Sequence, residues 1–118
     1  MSKSLHYRVV RGLGWQHMRI AEDEDSGKFF VLGFEADTGK WRLACRDAQG
    51  RSQPFADDKQ YKTLCRGVAG DCEIESAGDD LLLATVPVSG GNGNDVDYVT
   101  RDLISSDGGL TWADDFAV

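Results

Sequence analysis

Near the C-terminal end of this chain, Ser105, Asp107, Gly109, Thr111 and Trp112 fall in the order Ser-x-Asp-x-Gly-x-Thr-Trp. Few short stretches restrict a backbone as strongly. The Asp107 carboxylate can accept hydrogen bonds from backbone N–H groups of its own turn, Gly108 and Gly109 supply φ > 0, and Trp112 anchors the returning segment. Such a stretch pins a hairpin, and a pinned hairpin implies antiparallel strands on either side. It specifies architecture and carries no chemistry of its own.

The remainder of the chain has the same character. Fourteen glycines and only two prolines lie between short apolar runs, which reads as many turns joining many strands. Leu5, Tyr7 and Val9 alternate with His6 and Arg8. Met18 and Ile20 alternate with His17 and Arg19 beyond the Gly12-Leu13-Gly14 turn, so the two segments are expected to open the fold as an antiparallel pair. The acidic run Glu22, Asp23, Glu24, Asp25, followed by Ser26-Gly27, is the turn out of it. Phe29 to Phe34 is a nearly continuous apolar strand, Ala36-Asp37-Thr38-Gly39 is turn chemistry, and Trp41, Leu43 and Cys45 alternate on the return.

Arg46 to Asp58 is polar and reads as a long connection, and Lys59 to Cys65 fits a short helix or a strand equally. Leu81 to Val86 has apolar residues on both faces and reads as a central strand ended by Pro87. Ser89 to Asp95 is expected to be an exposed loop, Val96 to Ile104 the strand entering the pinned turn, and Leu110 to Trp112 the start of the strand leaving it. The predicted fold is a mostly β single domain over residues 1–118: an antiparallel sheet, sandwich or partial propeller-like meander with at most one short helix. No internal repeat is visible, and at four strands per blade the length allows at most about two propeller blades.

Composition bounds the function. At 118 residues, 41% hydrophobic and 28% charged, the chain has ordinary globular composition, and no apolar run approaches the length of a membrane span. A formal charge of −7 disfavours nucleic acid and suits a partner with a basic face. Met1 to Val10 lacks the apolar block of a signal peptide, so the expected location is cytoplasmic, or periplasmic if an export segment has been removed. Three cysteines, Cys45, Cys65 and Cys72, include no Cys-x-x-Cys pair. Cys65 and Cys72 bracket a short loop that could close as a disulfide in an oxidising compartment; in a reducing one they are ordinary buried thiols.

Catalytic and cofactor patterns are not found in the sequence. His6 and His17 have no Cys or carboxylate at metal-like spacing, so no metal is expected there. There is no Gly-x-Ser-x-Gly elbow, and Gly90-Gly91-Asn92-Gly93 lacks the lysine and helix of a phosphate-binding loop. Neither Glu22–Asp25 nor 92–97 follows a calcium-loop pattern. No catalytic residue and no cofactor is assigned.

The Ser105–Trp112 order resembles an Asp-box, the turn found in sialidase-type β-propellers and other secreted or envelope β proteins. Of the other sialidase signatures, Met18-Arg19-Ile20-Ala21 keeps only an Arg-Ile core, and catalytic residues are not carried over. Taken with Cys65, Cys72 and the segment from Asp80 to Trp112, the layout is similar to the immunity proteins that bacteria hold against their own type VI secretion lipase effectors. That resemblance implies a stoichiometric inhibitor: a stiff β scaffold whose loops block a protein toxin, with no nucleic-acid partner and no membrane insertion. The expected contact residues are Glu22, Asp23, Glu24 and Asp25 in one loop and Asn92, Asn94 and Asp95 in another. A carbohydrate-binding module with exposed aromatic platforms, or a subunit of a sialidase-like glycoside hydrolase, is the alternative.

Overall fold

The structure, a computed structural model, describes residues 2–90 and 98–115. It contains one helix, α1 (Lys3–Val10), and eight strands: β1 (Gln16–Asp23), β2 (Lys28–Glu35), β3 (Lys40–Arg46), β4 (Tyr61–Arg66), β5 (Glu73–Gly78), β6 (Leu81–Ser89), β7 (Tyr98–Ser105) and β8 (Ala113–Asp114). The strands form two four-stranded antiparallel meanders, ordered β1-β2-β3-β4 and β5-β6-β7-β8. The chain is mostly β with one short helix.

The two meanders pack face to face. Phe30, Leu32 and Phe34 of β2 and Trp41, Leu43 and Cys45 of β3 point inward, where they meet Leu82, Ala84 and Val86 of β6 and Leu103 of β7. These are the alternating positions of each strand, as a sheet with one face on a core requires. Burying each large side chain contributes about 1.5–3 kcal/mol. Trp41 lies at the centre, fully buried, with its indole Nε1 donating to Pro87 O at 3.0 Å. This bond ties the first sheet to the second.

The other face of the first sheet is covered as well. Val9, Leu13 and Trp15 pack on Phe29, Val31 and Ala44, so β2 is buried on both faces and its sequence is an unbroken apolar run. The covering element corrects the expected strand at Leu5, Tyr7 and Val9, which is helical. Residues 5 and 9 satisfy a two-residue period and a helical one alike, since i and i+4 share a helix face. Ser2 decides it by capping the first turn, its Oγ accepting from Leu5 N at 3.1 Å, while Tyr7 points into solvent.

Other expectations are sharpened. Of the two alternatives for Lys59–Cys65, the strand is found, beginning at Tyr61 as β4. Val96 and the greater part of the Ser89–Asp95 loop lie outside the described residues. Pro87 does not end its strand: β6 continues to Ser89, pairing with β7 through Ser89↔Tyr98, whereas its pairing with β5 goes only as far as Thr85↔Glu73. The missing Pro87 N–H therefore interrupts no ladder on the β5 side. β5, a strand of alternating exposure, was not anticipated at all.

Candidate functional site

Because both sheets are meanders, their turns alternate between two ends of the sandwich. The β1–β2 turn, the β3–β4 connection, the β5–β6 turn and the β7–β8 turn share one end. This end carries most of the residues singled out from the sequence.

The β7–β8 turn is held by its own side chains. Buried Ser105 donates its hydroxyl to Asp107 Oδ1 at 2.7 Å and accepts from Gly109 N at 2.9 Å. Thr111 donates to the Asp107 carboxylate twice, from its backbone N at 2.9 Å and from its Oγ1. Trp112, half-buried, donates from Nε1 to Gly109 O at 3.0 Å. Gly109 stands at φ 94° with an ideal Cβ position 2.7 Å from Leu43 Cδ2, so only glycine fits. The returning strand β8 begins at Ala113, after Trp112, later than the sequence suggested. Partial burial tends to raise the Asp107 pKa, but the bonds from Thr111 and Ser105 outweigh it and hold the carboxyl below its ordinary value.

Gly108 N donates to Asp80 O at 2.9 Å, which fastens this turn to the one between β5 and β6. There Asp79 and Asp80 both adopt positive φ, 53° and 64°. Two consecutive left-handed residues are the signature of the tight hairpin turn whose twist matches the flanking strands. Asp25, in the next turn along, lies close enough that a Cβ on Gly78 would sit 3.4 Å from its Oδ2.

The result is a concentration of negative charge. Glu22, Asp23, Glu24 and Asp25 line a cleft of about 380 Å³ with Ser76, Ala77 and Gly78. Asp80 and Asp107 border a second, smaller cleft beside it, with Asp23, Lys28 and the 54–56 segment. Glu22, Glu24 and Asp25 are exposed. Asp23 is different: it accepts from Ser26 Oγ at 2.7 Å and from Asp25 N at 3.3 Å, and its main role is to shape the turn. Asp57, Asp58, Asp79 and Asp80 also belong to this end, and sequence reading did not select them. Asp57 is paired with Lys62. Counting turns along an up-and-down meander would have found Asp57 and Asp58, since every second turn returns to the same end, whereas Asp79 and Asp80 require β5, which carries little strand signal of its own.

The other site expectations fare unevenly. Asn92, Asn94 and Asp95 lie outside the described residues. The possible Cys65–Cys72 disulfide is not formed: Cys45, Cys65 and Cys72 are all free thiols. The reason is topological. Cys65 ends β4, the edge of one sheet, and Cys72 precedes β5, at the opposite edge of the sandwich, where β5 lies against β1. The intervening residues cross the far end of the molecule, with Gly67 N donating to Gly39 O at 3.0 Å and Val68 N to Pro87 O at 3.1 Å. Cys65 faces Arg101, while Cys72 Sγ donates to His17 O at 3.2 Å. Burial pushes the Cys45 and Cys72 thiols up to about 11.

Among the described residues no group of three or more His, Cys, Asp or Glu is placed to hold a metal ion, and no helix is long and apolar enough to cross a membrane. The tryptophans are packed: Trp41 is fully buried and Trp15 nearly so, set edge-on against Tyr61 at 5.5 Å. The exposed tyrosines, Tyr7, Tyr61 and Tyr98, stand on three different elements. Comparison with protein-family models, with curated proteins and with solved structures finds no match to this chain.

Proposed function

We propose that this chain is a protein-binding inhibitor of the immunity class, which neutralises a toxin effector, such as a type VI secretion lipase, by docking its acidic end over a basic face at the toxin's active-site mouth. The observation that carries this reading is the gathering of exposed carboxylates from separate turns, Glu22, Glu24 and Asp25 with Asp79 and Asp80, at one end of a doubly packed sandwich. A rigid backbone holding charges in fixed positions loses little entropy on binding. A locally negative surface also accelerates encounter with an oppositely charged partner. On this reading the Ser105–Trp112 turn is an Asp-box with a structural role, holding the β5–β6 turn in place through the Gly108–Asp80 bond.

The test is protection in cells. The product of the neighbouring open reading frame is expressed with and without this chain, to test whether it is the effector. Restored growth, with the effector's activity abolished at equimolar inhibitor, is the expected result. Undiminished toxicity at high inhibitor levels would refute the reading, and turnover of a small substrate by the purified chain would replace it with an enzymatic one.

A further inference from the structure

The strongest local departure from the chain's acidic character lies on the outer side of the first sheet. Arg8 and Arg11 from α1 and its C-terminus, Arg46 from the end of β3, and Arg51 from the following loop line a single cleft of about 310 Å³. Four arginines and no carboxylate line it, in a chain whose formal charge is −7.

The cleft is built, not accidental. Loop 47–51 is closed by Asp47 N donating to Arg51 O and by Gly50 N donating to Asp47 O, both at 2.9 Å, and the Asp47 carboxylate accepts from Gln49 N and Arg51 N. The loop lies directly on the helix: Gly50 has φ 83° and an ideal Cβ position 2.7 Å from Arg8 Cβ, so any larger residue would push the arginines apart. Arg46 commits Nη2 to Arg11 O at 3.1 Å, which fixes its guanidinium, but its Nε is buried without a hydrogen-bond partner. Among the described residues only Arg51 of the four has an ion-pair partner, Asp47 at 2.9 Å. Like charges held together on one cleft, three of them without an ion-pair partner among the described residues, call for an anion.

We propose that this cleft binds a phosphate-class oxyanion, as the free ion or as a phosphate ester. Arginines supplied by both a helix and a loop suit a tetrahedral group with several acceptor oxygens better than a planar carboxylate, which one guanidinium can satisfy alone. The site adjoins the acidic end, since Arg46 and Arg51 flank the start of the β3–β4 connection, but it opens on the α1 side and does not depend on the inhibitor reading.

The experiment is an NMR titration of the ¹⁵N-labelled chain with inorganic phosphate, with glycerol 3-phosphate and, at matched ionic strength, with acetate. Saturable shifts of amides in 8–11 and 46–52, weaker with acetate, are expected. Arg8→Gln with Arg11→Gln, both exposed side chains, should weaken binding about tenfold or more, as expected from losing charge-assisted hydrogen bonds. Thermal unfolding of the double variant, expected to match the parent, separates lost binding from lost fold. Tighter binding of the ester assigns the site to a phosphorylated molecule, and equal binding assigns it to the free ion. No saturable shift at millimolar phosphate, equal shifts around Arg19 and Arg66, acetate as effective as phosphate, or full binding by the double variant would each overturn the proposal.

Discussion

Ser105 shows how much of this molecule depends on short-range polar geometry. Its hydroxyl is buried and satisfies both Asp107 and the backbone N–H of Gly109. Ser105→Ala would leave that N–H without its partner, at a cost of about 1–3 kcal/mol. Urea unfolding should register this as a lower midpoint with an unchanged slope. Asp107 makes the same turn sensitive to acid. Its folded carboxyl titrates below the ordinary value of 3.8, so its contribution is complete above that value and is lost as pH falls through the lower folded pKa. Asp107→Asn should therefore flatten the decline in stability on the acid side, measured as thermal midpoint against pH. The thiols give a third check. Alkylation of the unfolded chain without reductant should add to all three cysteines, whereas in the folded chain near pH 8 Cys45 and Cys72, buried and with pKa pushed up to about 11, should react slowly. A bridged Cys65–Cys72 pair in the unreduced protein would contradict the crossing of the β4–β5 connection.

At the scale of elements, the strands with a continuous apolar run or an alternation of large apolar residues were readable, and those that depend on a distant partner were not. β2 and β3 declared themselves through an apolar run and a clean alternation around Asp37-Thr38-Gly39. The Ser105–Trp112 order located the last hairpin to within a residue or two. β5 was missed because Glu73-Ile74-Glu75-Ser76 offers one sizeable apolar residue, and the strand exists by virtue of pairing with β6 and leaning on β1. The helix was mistaken for a strand because Leu5 and Val9 fit either period, and what they cover, the Phe29–Val31–Ala44 face, is visible only once the sheet has formed. The acidic stretch was legible as a turn only at Glu24 and Asp25, since Glu22 and Asp23 complete β1, and its convergence with Asp79 and Asp80 is a property of topology. The link between the sheets is equally non-local: Trp41→Phe removes the bond to Pro87 O and part of the ring volume, and should cost about 1–3 kcal/mol in equilibrium unfolding.

Over the whole molecule, acidic and basic side chains are gathered into neighbouring clusters. The turns at one end bring carboxylates together, and the helix-covered outer face of the first sheet collects arginines. Neither grouping contributes to the core, which lies between the sheets and beneath α1. Sequence and physics thus separate into a scaffold, set by alternating apolar residues and pinned turns, and a surface free to carry recognition. The inhibitor reading places recognition at the acidic end, and its most direct test is calorimetric and kinetic titration of this chain into the product of the neighbouring open reading frame. The comparison is with a variant carrying Glu22→Gln, Glu24→Gln, Asp25→Asn and Asp79→Asn. An equimolar complex is predicted whose association slows with added salt and whose affinity falls about tenfold or more in the variant. A complex of undiminished affinity and unchanged association rate in the variant would contradict the assignment of recognition to this end.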